Sequence, residues 1–300
     1  MGSGSGPDEG SGGGDPPSVD ATARRIRSMQ THSSSAVAIE ALAALREVLV
    51  RDYPSVEEFE RALERASSAL RRADPAHASL QSTQREVLER LEEDVPETVE
   101  AAREAAARAI QNVTAAMESA TEEAGAAAAD LLEDGATILT HDYSSTVLAA
   151  IRAATDAGRS LTVYVTEARP RYIGRRTCRT LAGIDAVDAH LIVDSAHGHF
   201  LPACDRVLVG MDCIVEDTLY NRVGTYPIAT TAADVGVPMT TVGASTKIVE
   251  SGFVFENDFR SPSEVMLEPA EGFAVENPAY DATPVRLLDS VITEDGPAPV

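Results

Sequence analysis

The amino-acid sequence predicts an α/β protein in which an N-terminal helical domain is followed by a Rossmann-like domain with a doubly wound parallel sheet. The first third of the chain has helical spacing of apolar residues and almost no strand signal. Farther on, short runs rich in Val, Ile, Leu and Thr alternate with helix-like segments, which is typical of parallel strands covered on both faces. These runs are 136–140, 161–166, 191–193, 206–209 and 239–242.

Residues 1–17 contain only Gly, Ser, Pro, Asp and Glu after Met1. Such a segment cannot bury enough apolar surface to offset the entropy lost on ordering, so we predict a disordered tail.

Residues 18–135 are predicted to form the helical domain. Ser55 and Glu58 form a capping box before one helix, Pro75 and Pro96 interrupt later ones, and a long Ala-rich helix is expected from about 97 to 132. Apolar residues at helical spacing define a further helix, and they are Ala36, Ile39, Leu42, Leu45 and Val48. Residues 136–300 then form the Rossmann-like domain, in which we expect ligand binding and dimerisation.

The charge of the chain excludes direct nucleic-acid binding by its general surface. The 300 residues include 48 acidic and 25 basic side chains, for a net charge of -23, whereas affinity for phosphate backbones depends on Lys and Arg. Lys247 is the single lysine, and every other basic residue is arginine. An acidic, lysine-poor composition is expected in a cytosol with very high salt, where screening weakens the repulsion between like charges.

The cysteine pattern indicates a reducing compartment, and the hydropathy gives no sign of a membrane span. Cys178, Cys204 and Cys213 lack metal-ligand spacing and leave an odd thiol, so a disulfide framework is not expected. No stretch approaches the roughly 18 apolar residues that a membrane span requires, and no signal-peptide pattern is present. We therefore expect a soluble cytoplasmic protein with no membrane partner.

Polar clusters follow each predicted strand, at 141–145, 167–170, 194–196, 210–212 and 243–247. Open α/β sheets bind ligands outside the carboxyl ends of their strands, so these clusters should meet in one crevice. The candidate ligand-binding residues are His141, Ser144, Ser145, Arg169, Asp212, Asn221, Arg222, Ser245 and Lys247.

Several motifs carry a resemblance to a known family. They are Ile-Leu-Thr-His-Asp-Tyr-Ser-Ser-Thr-Val-Leu at 138–148, Val-Tyr-Val-Thr-Glu-Ala-Arg-Pro at 163–170, Val-Asp-Ser-Ala at 193–196, Val-Leu-Val-Gly-Met-Asp at 207–212, Asn-Arg-Val-Gly-Thr-Tyr at 221–226, Ser-Thr-Lys-Ile at 245–248, Asn-Pro-Ala-Tyr-Asp-Ala-Thr-Pro at 277–284 and Ile-Thr-Glu at 292–294. In order and spacing, the chain from about residue 20 onward resembles the family of initiation factor 2B alpha, beta and delta subunits. That family includes ribose 1,5-bisphosphate isomerase and methylthioribose 1-phosphate isomerase.

The resemblance implies a phosphorylated sugar or nucleotide as ligand, contact with initiation factor 2 subunits, and a homodimer or higher homo-oligomer built through the C-terminal domain. No cofactor is predicted.

The chain departs from the isomerases of this family at three places. Asp142 stands where they have a cysteine after the first strand, and Ile173 stands where they have a glutamine after the second. Their Arg-Gly-Ala turn is replaced by Thr-His-Ser-Ser-Ser at 31–35, which resembles the initiation-factor alpha subunit more closely. The aspartate after the fourth strand is retained as Asp212.

Two functions remain open at this point. The departures favour a non-enzymatic initiation-factor-2B-like subunit with a regulatory sugar-phosphate or nucleotide site. The alternative is an isomerase of the ribose 1,5-bisphosphate type, with Asp212 and Asp142 as its catalytic residues; the retained Asp212, Asn221 and Lys247 support it.

The two aspartates each have a second interpretation. If Asp142 lies opposite Asp212, one carboxyl should hold its proton at neutral pH and would be a competent general acid. A solvated loop carboxylate is the alternative for Asp142, and capping of the next segment is the alternative for Asp212.

Other polar residues have simpler interpretations. His141 is expected to be a packed loop histidine, and Cys213 a small buried residue rather than a replacement nucleophile. His197 and His199 would lack a third metal ligand, so we interpret them as structural or interface residues, and no metal is predicted.

A phosphate is expected in the crevice at Lys247. The Lys247 ammonium, behind Ser245 at a strand end, can reach it, and we favour this role over the alternative that a lone lysine falls in an exposed loop by chance. Asn221 and Arg222 precede a predicted helix start at 224–225, where a guanidinium and backbone N–H groups could share an anion.

The composition yields a first prediction about salt. Lowering KCl from molar to about a tenth molar lengthens the Debye length to roughly 10 Å, so the acidic surface repels itself more strongly. The protein should then melt at a lower temperature or dissociate, as followed by calorimetry and light scattering. A melting temperature that stays the same across this range would contradict the halophilic interpretation.

Overall fold

The structure is a computed structural model that describes residues 17–28, 34–75, 77–92, 96–249, 255–268 and 270–298. The tail predicted at 1–17 lies outside these ranges except for Pro17. The helices are α1 Val19–Arg27, α2 Ser34–Leu49, α3 Val56–Arg71, α4 Ala78–Glu92, α5 Val99–Ala129, α6 Ser145–Asp156, α7 Gly174–Leu181, α8 His197–Phe200 and α9 Thr225–Val235. The strands are β1 Thr137–His141, β2 Leu161–Thr166, β3 Val187–Ile192, β4 Arg206–Gly210, β5 Cys213–Val215, β6 Thr218–Arg222, β7 Met239–Val242, β8 Ile248–Val249, β9 Tyr280–Pro284, β10 Ser290–Thr293 and β11 Gly296–Ala298.

Helices α1 to α5 pack around one apolar core. Ser55 caps α3 by accepting a hydrogen bond from the Glu58 N–H, as the capping-box pattern indicates. The apolar faces of α2 and α3 are fully buried at Leu42, Leu45 and Phe59. None of the described helices is long and apolar enough to cross a membrane.

Helix α5 belongs to two cores. Its residues from Ala102 to Met117 pack in the helical core, whereas Ala124 and Ala128 pack in the core under the sheet. Gly125 lets α5 lie close to α6, since a Cβ at this position would be 2.6 Å from the Cβ of Ala149.

The larger sheet has the strand order β11-β10-β7-β4-β1-β2-β3, and all its pairings are parallel except that of β11 with β10. The predicted fold class is confirmed: a helical N-terminal region precedes an α/β region with a Rossmann-like sheet. The chain runs outward from β1 through β2 to β3 and returns to β4 on the other side of β1. This reversal opens a crevice between the carboxyl ends of β1 and β4.

Three parts of the fold differ from the sequence prediction. Strands β10 and β11 of the larger sheet were not among the five predicted strands. β3 begins at Val187 rather than 191, because it is an edge strand whose buried and exposed residues mix, with Asp188 and Leu191 exposed. A second sheet of order β8-β5-β6-β9 was not predicted. Its first two strands have two and three residues, so they produce no apolar run that a sequence pattern can detect.

Candidate active site

The loops after β1 and β4 meet at the crevice. Ser144 caps α6 by accepting a hydrogen bond from the Val147 N–H, and this places the first turn of α6 over the end of β1. Gly210 ends β4, and a Cβ there would lie 2.5 Å from the Ser144 hydroxyl oxygen. The absence of a side chain at Gly210 therefore allows the two loops to approach.

Most of the predicted site residues come together in this central crevice. It is lined by Ser34, His141, Asp142, Tyr143, Ser144, Ser145, Gly210, Met211, Asp212, Asn221, Arg222 and Lys247. Arg169 and Ser245 are the predicted residues that do not line it.

Arg222 lies between the two aspartates. Its Nε is 3.6 Å from Asp142 Oδ2 and 3.5 Å from Asp212 Oδ2. Asp142 Oδ1 and Arg222 Nη1 are buried and have no hydrogen-bond partner among the described residues. One guanidinium thus brings both carboxyl groups within reach of the same small molecule.

Asp142 is buried rather than solvated, with 5% of its surface exposed. Burial raises the pKa of this carboxyl, and the negative charge of Asp212 raises it further, while Arg222 and His141 act in the opposite direction. The backbone at Asp142 is left-handed, with φ of 62°, a conformation that Asp and Asn adopt more readily than most residues.

His141 is packed, as expected, and both ring nitrogens are bonded. Nε2 donates to the Val223 carbonyl at 2.9 Å, since a carbonyl oxygen can only accept. Nδ1 lies 2.6 Å from the Thr166 hydroxyl. The ring also touches Gly224, where a Cβ would approach it to 2.6 Å.

Lys247 is buried in a short 3-10 turn, with 5% of its surface exposed, and not in an exposed loop. Its Nζ donates to the Met211 carbonyl at 3.0 Å, which uses one of its three N–H groups. Burial lowers the pKa of Lys247, while the charge of Asp212 opposes this shift.

At the helix start at 224–225, where we expected an anion, two backbone donors are already used. The Asp281 carboxylate accepts from the Gly224 N–H at 2.8 Å and the Tyr226 N–H at 3.0 Å. The Asn221 amide donates to the Thr225 hydroxyl at 3.1 Å. An anion near Lys247 therefore depends on the start of α6 instead.

Arg169 is exposed and lines a separate cleft beside the crevice. We call it the arginine cleft; it is lined by Asp142, Ala168, Arg169, Pro170, Arg171, Ile173, Arg222, Val223, Arg260, Asn277, Pro278 and Ala279. Ser245 faces away from both spaces, because its hydroxyl and its N–H donate to the Glu294 carboxylate at 2.7 and 2.8 Å.

Three residues near the crevice were not predicted. Ser34, at the start of α2, belongs to the serine cluster of the 31–35 stretch but was not predicted as a site residue. His77 caps α4 through Nδ1, which accepts from the Leu80 N–H, so the neutral ring carries its hydrogen on Nε2; that atom is buried without a partner among the described residues. Tyr280 stacks on Arg222, with the guanidinium carbon 5.0 Å from the ring centre. Since these contacts depend on distant segments, no local pattern reveals them.

The surroundings of Cys213 and His197 agree with a structural role for both side chains. Burial raises the pKa of Cys213 to about 12, and the charge of Asp212 adds to the shift, so this thiol is a poor nucleophile. His197 contacts the Asp194 carbonyl and the Thr231 hydroxyl. The described residues contain no group of three or more His, Cys, Asp or Glu that could hold a metal ion.

Comparison with known proteins shows what this chain is similar to. A model of the initiation factor 2 subunit family matches residues 30–299. The ribose 1,5-bisphosphate isomerase of Methanocaldococcus jannaschii is 33% identical over 290 residues, which cover 93% of this chain and 90% of that protein. The protein of the same name from Haloferax volcanii is 32% identical over 292 residues, covering 94% and 89%. The crystal structure of 5-methylthioribose 1-phosphate isomerase from Pyrococcus horikoshii aligns with a TM-score of 0.80 at 25% identity, covering 94% and 84%.

The expectation of a non-enzymatic initiation-factor-2B-like subunit is wrong. Several relatives that are 30–33% identical over most of the chain are ribose 1,5-bisphosphate isomerases, and they support the isomerase alternative. The inference gave more weight to the three departures from the isomerases than to the retained Asp212, Asn221 and Lys247. The structure instead has a buried carboxyl, Asp142, at that position.

The environment of Asp142 yields a prediction about stability. A carboxyl whose pKa is raised on folding favours the folded state most below its ordinary pKa of 3.8, and this advantage is lost as pH rises through the folded-state pKa. Asp142→Asn keeps the shape and tolerates the left-handed backbone, but it cannot ionise. Its free energy of unfolding in denaturant should exceed that of the parent at pH 7 and match it near pH 4.

Asp185→Asn is a suitable control, since Asp185 is an exposed turn residue in the same part of the chain as Asp142. A parent protein that is more stable than Asp142→Asn at pH 7 would mean that the ion pair with Arg222 outweighs the cost of burial.

Proposed function

The chain belongs to the initiation factor 2 subunit family, and on that premise we propose that it is an isomerase that converts a phosphorylated ribose into the corresponding ketose. The observation that carries the proposal is the pair of carboxyl groups held by Arg222 at the switch point of the sheet. Ribose 1,5-bisphosphate is the substrate that the names of the relatives suggest.

The reaction can be balanced with two proton transfers. Converting a cyclic ribose 1-phosphate into a ketose opens the ring by breaking the bond between C1 and the ring oxygen. The hydrogen on C2 leaves as a proton and is added to C1, the C2 hydroxyl loses its proton and becomes a carbonyl, and the ring oxygen released from C1 takes up a proton and becomes the C4 hydroxyl. No oxidant or reductant is consumed, so one general acid and one general base are enough.

Asp142 has the properties of the acid. Burial raises the pKa of Asp142 against the opposing charges of Arg222 and His141, and the charge of Asp212 adds to the shift. This favours the protonated carboxyl that a general acid needs to deliver a proton to the ring oxygen. The resulting carboxylate lies beside Arg222, which stabilises the charge, and it can then take the proton of the C2 hydroxyl. Asp212 is the base that carries hydrogen from C2 to C1.

Lys247 is the proposed partner of a phosphate group in the central crevice. Its ammonium is held at the carboxyl edge of the sheet by the Met211 carbonyl. Ser144 and the first turn of α6 line the same space, so backbone N–H groups and the helix dipole add to the positive potential. This arrangement favours a dianion at one end of the sugar.

The proposal includes a homo-oligomer that functions at high salt. Leu191 and Val193, at the end of the edge strand β3, are 45% and 54% exposed, which leaves apolar surface for a second copy of the chain. We propose a dimer through the C-terminal domain, as the family resemblance implies.

Turnover is tested directly by incubating the protein in molar KCl with ribose 1,5-bisphosphate and following ketose formation by NMR. We expect about one turnover per second or more in the parent. Asp212→Asn should fold normally and lose about 100- to 10,000-fold in rate, the usual contribution of a general base. A parent that binds the sugar without forming ketose would contradict the proposed function.

Binding of the phosphate in the crevice is tested by Lys247→Met, which keeps the length of the side chain and removes its charge. A hydrogen bond to a charged group contributes about 1.5 to 3 kcal/mol, so affinity for ribose 1,5-bisphosphate should fall roughly ten- to a hundredfold. The measurement is calorimetric titration, with the melting temperature as a check on folding. Equal affinity in the variant and the parent would place the phosphate elsewhere.

A further inference from the structure

The arginine cleft adjoins the central crevice. Asp142 and Arg222 line both spaces, so a molecule that lies over these two residues can extend into either one. Lys247 lines the crevice and is not among the residues of the cleft. The crevice and the cleft therefore each contribute a cation that the other lacks, and they share Arg222.

The charge of the cleft is opposite to that of the chain. Arg169, Arg171, Arg222 and Arg260 all line it, although the chain has a net charge of -23. The one carboxyl group in its lining belongs to Asp142. Glu264 lies 3.9 Å from Arg171, and Asp142 and Asp212 lie beside Arg222, so these carboxyl groups offset part of the charge.

Two guanidinium nitrogens in the cleft have no hydrogen-bond partner among the described residues. Nε of Arg260 and Nη1 of Arg222 are both buried and unpartnered. Buried polar groups are nearly always hydrogen-bonded, so two such donors at one cleft point to an anionic acceptor. Burial and the like charges of Arg222 and Arg171 lower the pKa of Arg260, and an anion would relieve this repulsion.

The loops that carry these arginines are held in place by backbone hydrogen bonds. The N–H groups of Ala168 and Arg169 both donate to the Asp194 carboxylate at 2.7 Å. On the other side, the Arg260 N–H donates to the Asn277 carbonyl at 2.8 Å. The backbone on both sides of the cleft is thus held by hydrogen bonds.

We propose that the arginine cleft binds the second phosphate of a bisphosphorylated sugar, and that it thereby selects substrates with a phosphate at each end over monophosphates. The planar guanidinium fork matches the oxygens of a phosphate. The inference rests on the proposed function for the identity of the sugar. It assigns the first phosphate to Lys247, the sugar to Asp142 and Arg222, and the second phosphate to Arg171 and Arg260.

Calorimetric titrations with ribose 1,5-bisphosphate, ribose 1-phosphate and ribose 5-phosphate test this assignment. The parent should bind the bisphosphate at least about ten times more tightly than either monophosphate. Arg171→Gln and Arg260→Gln should each lose about ten- to a hundredfold in affinity for the bisphosphate, which is the range for one charged hydrogen bond. At least one monophosphate, bound through Lys247, should keep its affinity.

Arg179→Gln is the matched control, because Arg179 is exposed on α7 and does not line the cleft. It should bind all three sugars as the parent does. If Arg260→Gln fails to fold, Arg171→Gln remains informative, since the Arg171 side chain is 19% exposed and its guanidinium is not among the buried groups without a partner. Unchanged bisphosphate affinity in Arg171→Gln would overturn the proposal, as would equal affinity of the parent for all three sugars.

Failure of the cleft and failure of the isomerase can be told apart. If the protein prefers the bisphosphate through Arg171 but forms no ketose, the proposed cleft is supported and the proposed reaction is contradicted. If it forms ketose but binds the bisphosphate equally well without Arg171, the reaction is supported and the cleft is contradicted.

Discussion

The contact of the Arg222 guanidinium with Asp142 and Asp212 is the interaction on which the rest of the site depends. The three residues come from different parts of the fold: Asp142 follows β1, Asp212 follows β4, and Arg222 ends β6. Strand β6 belongs to the smaller sheet, where Arg222 pairs with Tyr280 of β9. The smaller sheet therefore positions the Arg222 guanidinium at the point where the strand order of the larger sheet reverses.

This arrangement places charged groups where a stable core would have apolar ones. A buried ion pair rarely stabilises a protein more than apolar residues of similar volume would, because each charge loses its hydration. The unpartnered oxygen of Asp142 and the unpartnered nitrogen of Arg222 add to this cost. Such local conflicts with stability are expected at functional sites, where the polar groups are kept for the ligand they recognise.

The sequence predicted the larger sheet well because buried parallel strands are continuous apolar runs. The bounds of β2 and β7 coincide with the runs at 161–166 and 239–242. It predicted that Asp142 and Asp212 would meet, since both follow strands at one edge. It could not predict Arg222 between them, the use of the α9 start by Asp281, or His77 beside Lys247. Those contacts join segments far apart in the chain, and only the packed structure brings them together.

The residues alone narrowed the function to two candidates, a non-enzymatic initiation-factor-2B-like subunit and an isomerase, but they did not decide between the two. The cysteine, glutamine and Arg-Gly-Ala turn of the isomerases are absent, and their absence was weighed more heavily than the retained Asp212.

Helix α5 couples the stability of the two cores. Because one unbroken helix contributes Met117 to the first core and Ala124 to the second, melting either core would fray the helix that completes the other. The two domains should therefore behave as one cooperative unit, so the walls of the crevice contributed by each are lost or kept together.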